Sequence, residues 1–216
     1  MINPKDPVSV KRIVITGDVL RPDINKPGTP AASANAKWLY QILAWPLQQV
    51  CSLPISCVTW NSGFDTEMFY KLQGLSPNTE SWAKIHYLQT LGKEIDPLIE
   101  AAFGDALVIG CETPPCIATA LIRLGIPLID TIGHPIRFLD DLLNAWRSNH
   151  QGIAKELSKF RYELNFAKAH AGLIRAKMAW LPELQTPEET ALVIGQVGSD
   201  KALIHQEEGR LLGFHD

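Results

Sequence analysis

Asp18, Glu112 and His134 each stand just behind a short apolar run, and all three are residue types that move protons or carry charge in a reaction. Glu112 lies between the run at 106–110 and a Pro114-Pro115 pair, so its backbone is stiff. A carboxylate there serves as general base, general acid or nucleophile; alternatively, it caps the helix that follows or pairs with an arginine. His134 precedes Pro135, which favours extended backbone. With Arg137 it stands where a helix begins, a combination suited to phosphate or carboxylate. The competing reading is a histidine in a turn and a solvated arginine. Asp18 either holds a sugar hydroxyl, orients His134, or is a turn residue.

Further polar groups collect at the same positions. Arg21 follows Asp18 by one short loop, and Trp60 adjoins the loop 61–63, where an indole could stack on a ligand. Asp140 and Asp141 fall in a first helical turn, where one of them serves the macrodipole. Arg147, with Ser148 and Asn149, is either a helix C-terminal cap or a ligand contact. The expected catalytic set is Glu112, His134 and Asp18. The expected substrate-binding set is Arg21, Arg137, Trp60, Asp140 and Arg147. Trp38, Trp82, Trp146 and Trp180 stand at helical positions and read as core.

Strands alternating with helices must position these groups. Residues 12–16, 55–60, 106–110, 126–132 and 191–195 read as strands, the third apolar throughout, as a central parallel strand should be. Helices are expected from Ser33 or Asn35 to about Val50, kinked or ended by Pro46, and after a cap at Asn78 or Thr79. Others are expected from Pro114 to Leu124, over 138–146, and over 153–180 with a break at Gly172. This pattern implies right-handed βαβ units: a Rossmann-like α/β fold whose parallel sheet has helices on both faces. Ligands would bind at the carboxyl ends of the strands. Pro182 and Pro187 mark a linker, so the expected domains are 1–185 and the start of a second unit at 186–216.

The 216 residues, 46% hydrophobic and 20% charged, have the composition of a folded globular chain. A net charge of −3 gives no field for nucleic acid, and no apolar stretch is long enough to span a bilayer. Without a signal-peptide pattern, a cytoplasmic location is expected. Cysteines at 51, 57, 111 and 116 form no zinc or disulfide pattern and read as reduced and mostly buried. The phosphate loop, the dinucleotide fingerprint, the nucleophile elbow and the zincin motif are all absent from the sequence. No cofactor is expected. No spacing supports a metal held by His134 with Asp18 or Glu112.

Several segments taken together resemble a known group. They are Gly17-Asp18 with Arg21, Asn35-x-x-Trp38-Leu39, Glu112-x-Pro114-Pro115, Leu124-Gly-Ile-Pro-Leu-Ile-Asp130, His134-Pro-x-Arg-Phe-Leu-Asp-Asp-Leu-Leu143 and Arg147-Ser-Asn149. The set resembles the N-terminal half of bacterial surface-polysaccharide glycosyltransferases of the Kdo-transferase-like kind, which serve capsule and lipopolysaccharide synthesis. The resemblance implies one half of a two-domain GT-B-like fold, a nucleotide-sugar donor such as CMP-Kdo and a glycan acceptor. It places Glu112 at a catalytic or acceptor-activating position, with His134 and Arg137 near the donor's anionic groups. The stretch Gly195-Gln-Val-Gly-Ser-Asp-Lys201 resembles the opening of the second domain, most of which this sequence lacks. A second copy or a partner subunit would then complete the cleft. Two other readings stand beside it: a non-catalytic domain that docks on a partner subunit, and a hydrolase using Glu112 and His134.

Overall fold

The computed structural model describes residues 10–133, 144–181, 187, 189–191 and 200–213. Five strands form the central sheet: β1 (Arg12–Thr16), β2 (Ile55–Cys57), β3 (Ala106–Cys111), β4 (Leu128–Gly133) and β5 (Asn144–Ser148). Their order is β2-β1-β3-β4-β5. The first four run parallel, with Val14 opposite Val108 and Ile109 opposite Ile129. The fifth is antiparallel, with Asp130 opposite Arg147. The sheet is therefore mixed and mostly parallel, and the arrangement fits a Rossmann-like α/β fold.

Helices cover both faces. On one side lies α1 (Ser33–Val50), against Ile13, Ile15, Ile109 and Cys111. On the other side lie α2 (Thr66–Leu72), α3 (Thr79–His86), α4 (Asp96–Phe103) and α5 (Pro115–Arg123). Their apolar residues, among them Phe69, Trp82, Ile99 and Leu121, pack with Val14, Val108 and Leu128 in the larger core. Neighbouring residues of β1 thus feed opposite cores, as the twofold alternation of a strand requires. Two further helices follow the sheet: α6 (Gln151–Leu157) and α7 (Leu164–Met178).

Several boundaries differ from the sequence expectation, each for a local reason. The helix α1 passes through Pro46 rather than ending there. Residues 144–148 are a strand, not the tail of a helix, and the preceding part of that expected helix lies outside the described residues. Arg147 finds Asp130 across the ladder. The Ser148 hydroxyl donates to the Leu128 carbonyl (2.7 Å), and Asn149 pairs with the Leu128 amide and the Ile126 carbonyl (2.8 and 2.9 Å). These bonds hold the segment against β4. The long helical region breaks between α6 and α7, at 161–163, rather than at Gly172. The strand expected at 191–195 lies almost wholly outside the described residues.

The described part of the C-terminal region belongs to the same packing. Ile204–His205 and Arg210–Leu211 form a small antiparallel hairpin. Ile204 is buried in the larger core and Leu211 packs against it. At Gly209, with φ of +61°, an added Cβ would come within 3.0 Å of the Lys84 backbone, so the hairpin lies hard against α3. Among the described residues no helix is long and apolar enough to cross a membrane.

Candidate functional site at the switch point

The sheet order reverses between β1 and β3. The chain leaves β1 through α1 toward β2 on one side, whereas β3 continues through α5 toward β4 on the other. In doubly wound sheets this divergence opens a crevice at the strands' carboxyl ends. Gly17 and Cys111 meet there, with the Cys111 carbonyl oxygen 3.4 Å from where a Gly17 Cβ would stand. Asp18 and Glu112 are the next residues on the two strands.

The Gly17–Arg21 loop is held by buried polar groups. Asp18 Oδ1 accepts from the backbone N–H groups of Leu20 and Arg21 (3.0 and 3.1 Å), and Oδ2 accepts from Trp82 Nε1 (3.1 Å). The Thr66 and Tyr70 hydroxyls donate to the carbonyls of Val19 and Leu20 (2.9 and 2.7 Å). Burial pushes the Asp18 carboxyl up to about 6, against the pull of those donors and of the Arg21 guanidinium. That guanidinium lies 5.2 Å above the Trp82 ring.

Glu112 is held differently. Its φ is +57°, in the left-handed region, and its N–H donates to the Thr131 carbonyl (2.8 Å). Asn61, Asp105 and Glu189 also have positive φ; the first two are residue types that tolerate it. A glutamate gains nothing from it locally, so the surrounding structure imposes it. Thr113 N–H donates to Asp130 Oδ1 (2.9 Å), and a Cβ at Gly110 would run into the Thr113 hydroxyl. Glycine at 110 lets the loop fold back over the end of β3. The Glu112 carboxylate then meets Lys201, with Oε1 2.9 Å from Nζ.

Lys201 and His86 are two site residues that sequence reasoning missed. Lys201 reaches Glu112 because its segment packs on α3, a long-range contact with no local signature. His86, the last residue of α3, is buried with Nδ1 3.9 Å from Asp18 Oδ2 and without a hydrogen-bond partner among the described residues. Burial and the nearby Lys201 and Arg21 cations hold it down to about 4. Its contact with Asp18 is therefore that of a neutral imidazole at neutral pH, not an ion pair. Only its position on the polar end of a short capped helix could have suggested it.

The structure thus brings Asp18, Arg21 and Glu112 together with Trp82, His86 and Lys201. Trp60 does not join them as a stacking surface. It is 6% exposed, and its ring packs 6.3 Å from Tyr70 within the core. Arg147 is committed to Asp130, with Nε and Nη2 at 3.0 and 2.8 Å from Oδ2. It lies on a strand and is not a helix cap. His134, Arg137 and Asp140 lie outside the described residues. All four cysteines are free; Cys111 and Cys116 are buried, and burial pushes both thiols up, Cys111 to about 11, which makes them poor nucleophiles. Among the described residues no group of three metal-ligating side chains converges.

Fold and site together define an α/β protein with charged side chains gathered at a topological switch point, the place where doubly wound sheets bind nucleotides and other small molecules in many unrelated chains. Compared with known proteins, the chain matches no family model, and neither a curated sequence nor a solved structure is similar enough to count as a match.

Proposed function

We propose that the crevice binds a nucleotide-sugar such as CMP-Kdo, and that the chain is a GT-B-like half of a glycosyltransferase of bacterial surface-polysaccharide synthesis. One observation carries this reading: Glu112, held in an unfavoured backbone conformation at the switch point, presents its carboxylate beside a lysine. Strain kept at a crevice mouth supports a working residue rather than a packing one. The sequence resemblance supplies the sugar chemistry, and the mostly parallel, Rossmann-like sheet supplies the carboxyl edge at which a nucleotide would bind.

In this reading each group has one task. Lys201 and Arg21 meet the anionic groups of the donor as charge-assisted hydrogen-bond partners. Glu112 acts on the reacting sugar or the acceptor hydroxyl, released from Lys201 when the donor's charge takes that cation over. Asp18 does not turn over protons; its oxygens already accept three hydrogen bonds, and it shapes the loop that carries Arg21. The resemblance adds His134 and Arg137, which follow β4 in the chain, as further anion contacts.

Titration calorimetry with CMP and CMP-sugars tests the proposal. Wild type is expected to bind, and Lys201→Ala to bind roughly tenfold more weakly, as the loss of one charge-assisted bond implies. Glu112→Gln is expected to keep the donor and lose sugar transfer. No heat with any cytidine nucleotide, or equal binding by Lys201→Ala, would refute it.

A further inference from the structure

The segment from α6 through residue 181 exposes more apolar surface than its role in the fold explains. No residue of α7 is buried. Within it Phe166, Ala169, Leu173 and Ala176 fall at i, i+3, i+7 and i+10 and so share one face. Phe166 is 60% and Leu173 62% exposed, and Trp180, seven residues beyond Leu173, is 90% exposed. Tyr162 extends the stripe, its ring 6.1 Å from that of Phe166. The side of α7 turned toward the protein is instead Ala167, His170 and Ile174, which are half-buried.

Charge is distributed just as unevenly. Residues 151–181 hold six cations (Lys155, Lys159, Arg161, Lys168, Arg175 and Lys177) against Glu156 and Glu163, a balance of +4 in a chain whose net charge is −3. Lys168 and Arg175, seven residues apart, line up along one side of the helix, and Lys177 flanks Leu173 on the other. These three have no ion partner among the described residues. An aromatic and aliphatic stripe rimmed by lysine and arginine is the pattern that beds into the headgroup layer of an anionic bilayer.

We infer that α7 and the residues flanking it are a docking surface for an anionic phospholipid membrane, on which the protein lies without crossing. A second copy fits the same face poorly, because two +4 surfaces would be brought together. Nucleic acid fits less well: Phe166 and Trp180 could stack on bases, but Leu173, Met178 and Leu181 beside them could not, and the rest of the chain is acidic. The inference does not depend on what the crevice binds.

Co-sedimentation of the full chain with two vesicle preparations tests it, one of phosphatidylcholine alone and one of equal parts phosphatidylcholine and phosphatidylglycerol. Wild type is expected to pellet only with the second, and less as salt is raised. Two triple variants, Lys168→Glu/Arg175→Glu/Lys177→Glu and Phe166→Ser/Leu173→Ser/Trp180→Ser, change exposed side chains and are expected to keep the wild-type circular dichroism. Each should lower the partition coefficient roughly tenfold or more, by removing either the charge attraction or the inserted area. Equal pelleting with neutral vesicles, or undiminished binding by the charge-reversed variant, would overturn the inference. So would a dimer in light scattering that only the serine variant dissolves, since a second copy would then own the face. A gel shift of single-stranded RNA without vesicle binding would overturn it in favour of nucleic acid.

Discussion

Asp18 and His86 form a buried acid and base whose preferences oppose each other. Asp18 binds its proton more tightly in the folded chain, near 6 against 3.8 unfolded. Its contribution to stability is full at pH below 3.8 and is lost as pH rises through 6. His86 binds its proton more weakly, near 4 against 6.5, so its contribution grows as pH rises from about 4 to 6.5. Between pH 4 and 6 the two slopes cancel in the wild type. The shift of Asp18 arises from burial and not from His86, so removing the histidine should leave it in place. Relative to wild type, His86→Gln is then expected to lose on the order of 2 kcal/mol across that window, and Asp18→Asn to gain a similar amount. Urea unfolding at a series of pH values reads this directly. Stability curves of both variants running parallel to the wild type would show that the pair does not titrate in this way.

At the scale of elements, much of the sheet was legible because β1, β3 and β4 are short apolar runs that end in glycine or a polar residue. Those ends mark Asp18 and Glu112 in the sequence itself. What was not legible is what depends on partners distant in the chain. Residues 144–148 continue an apolar spacing that suits a helix, and it is pairing with β4, tied by Arg147 to Asp130 and by Ser148 and Asn149 to the Leu128 backbone, that makes them β5. Trp60 looked available because a loop follows it, although Tyr70 closes over its ring. The β4–β5 ladder can be tested through its polar tie. The Asp130 side chain is almost fully buried, and Arg147 supplies two of the hydrogen bonds it accepts. Arg147→Ala leaves that carboxylate with the Thr113 amide and should cost about 1–3 kcal/mol. The double variant Asp130→Asn/Arg147→Ala should recover part of the loss, because the uncompensated charge is gone. Denaturant midpoints of the three proteins decide the matter: an Arg147→Ala value within error of wild type would mean that the ladder does not rely on the pair.

For the molecule as a whole, the connection that matters joins residues 200–213 to the sheet. Lys201 can stand against Glu112 only if the hairpin after it is anchored, and the anchor is apolar. Ile204 enters the core that α2, α3, α4 and α5 build over the sheet, and Leu211 packs against the same group. A segment that merely trailed from the domain would bury no such side chain. Cutting Ile204 back to alanine removes buried methyl groups from a core that can close the gap only partly, at about 2–4 kcal/mol. Because the residue shares one core with Val14 and Val108, the loss should appear in the unfolding of the entire sheet, with the cooperativity of the transition unchanged. Nucleotide binding by Ile204→Ala should weaken as well under conditions where the variant is still folded, since Lys201 loses its fixed position, whereas a solvent-facing change such as Glu207→Ala should alter neither. If Ile204→Ala instead split the curve into two transitions, or left the main one in place, the hairpin would be a separate unit and the lysine's approach to Glu112 would need another cause.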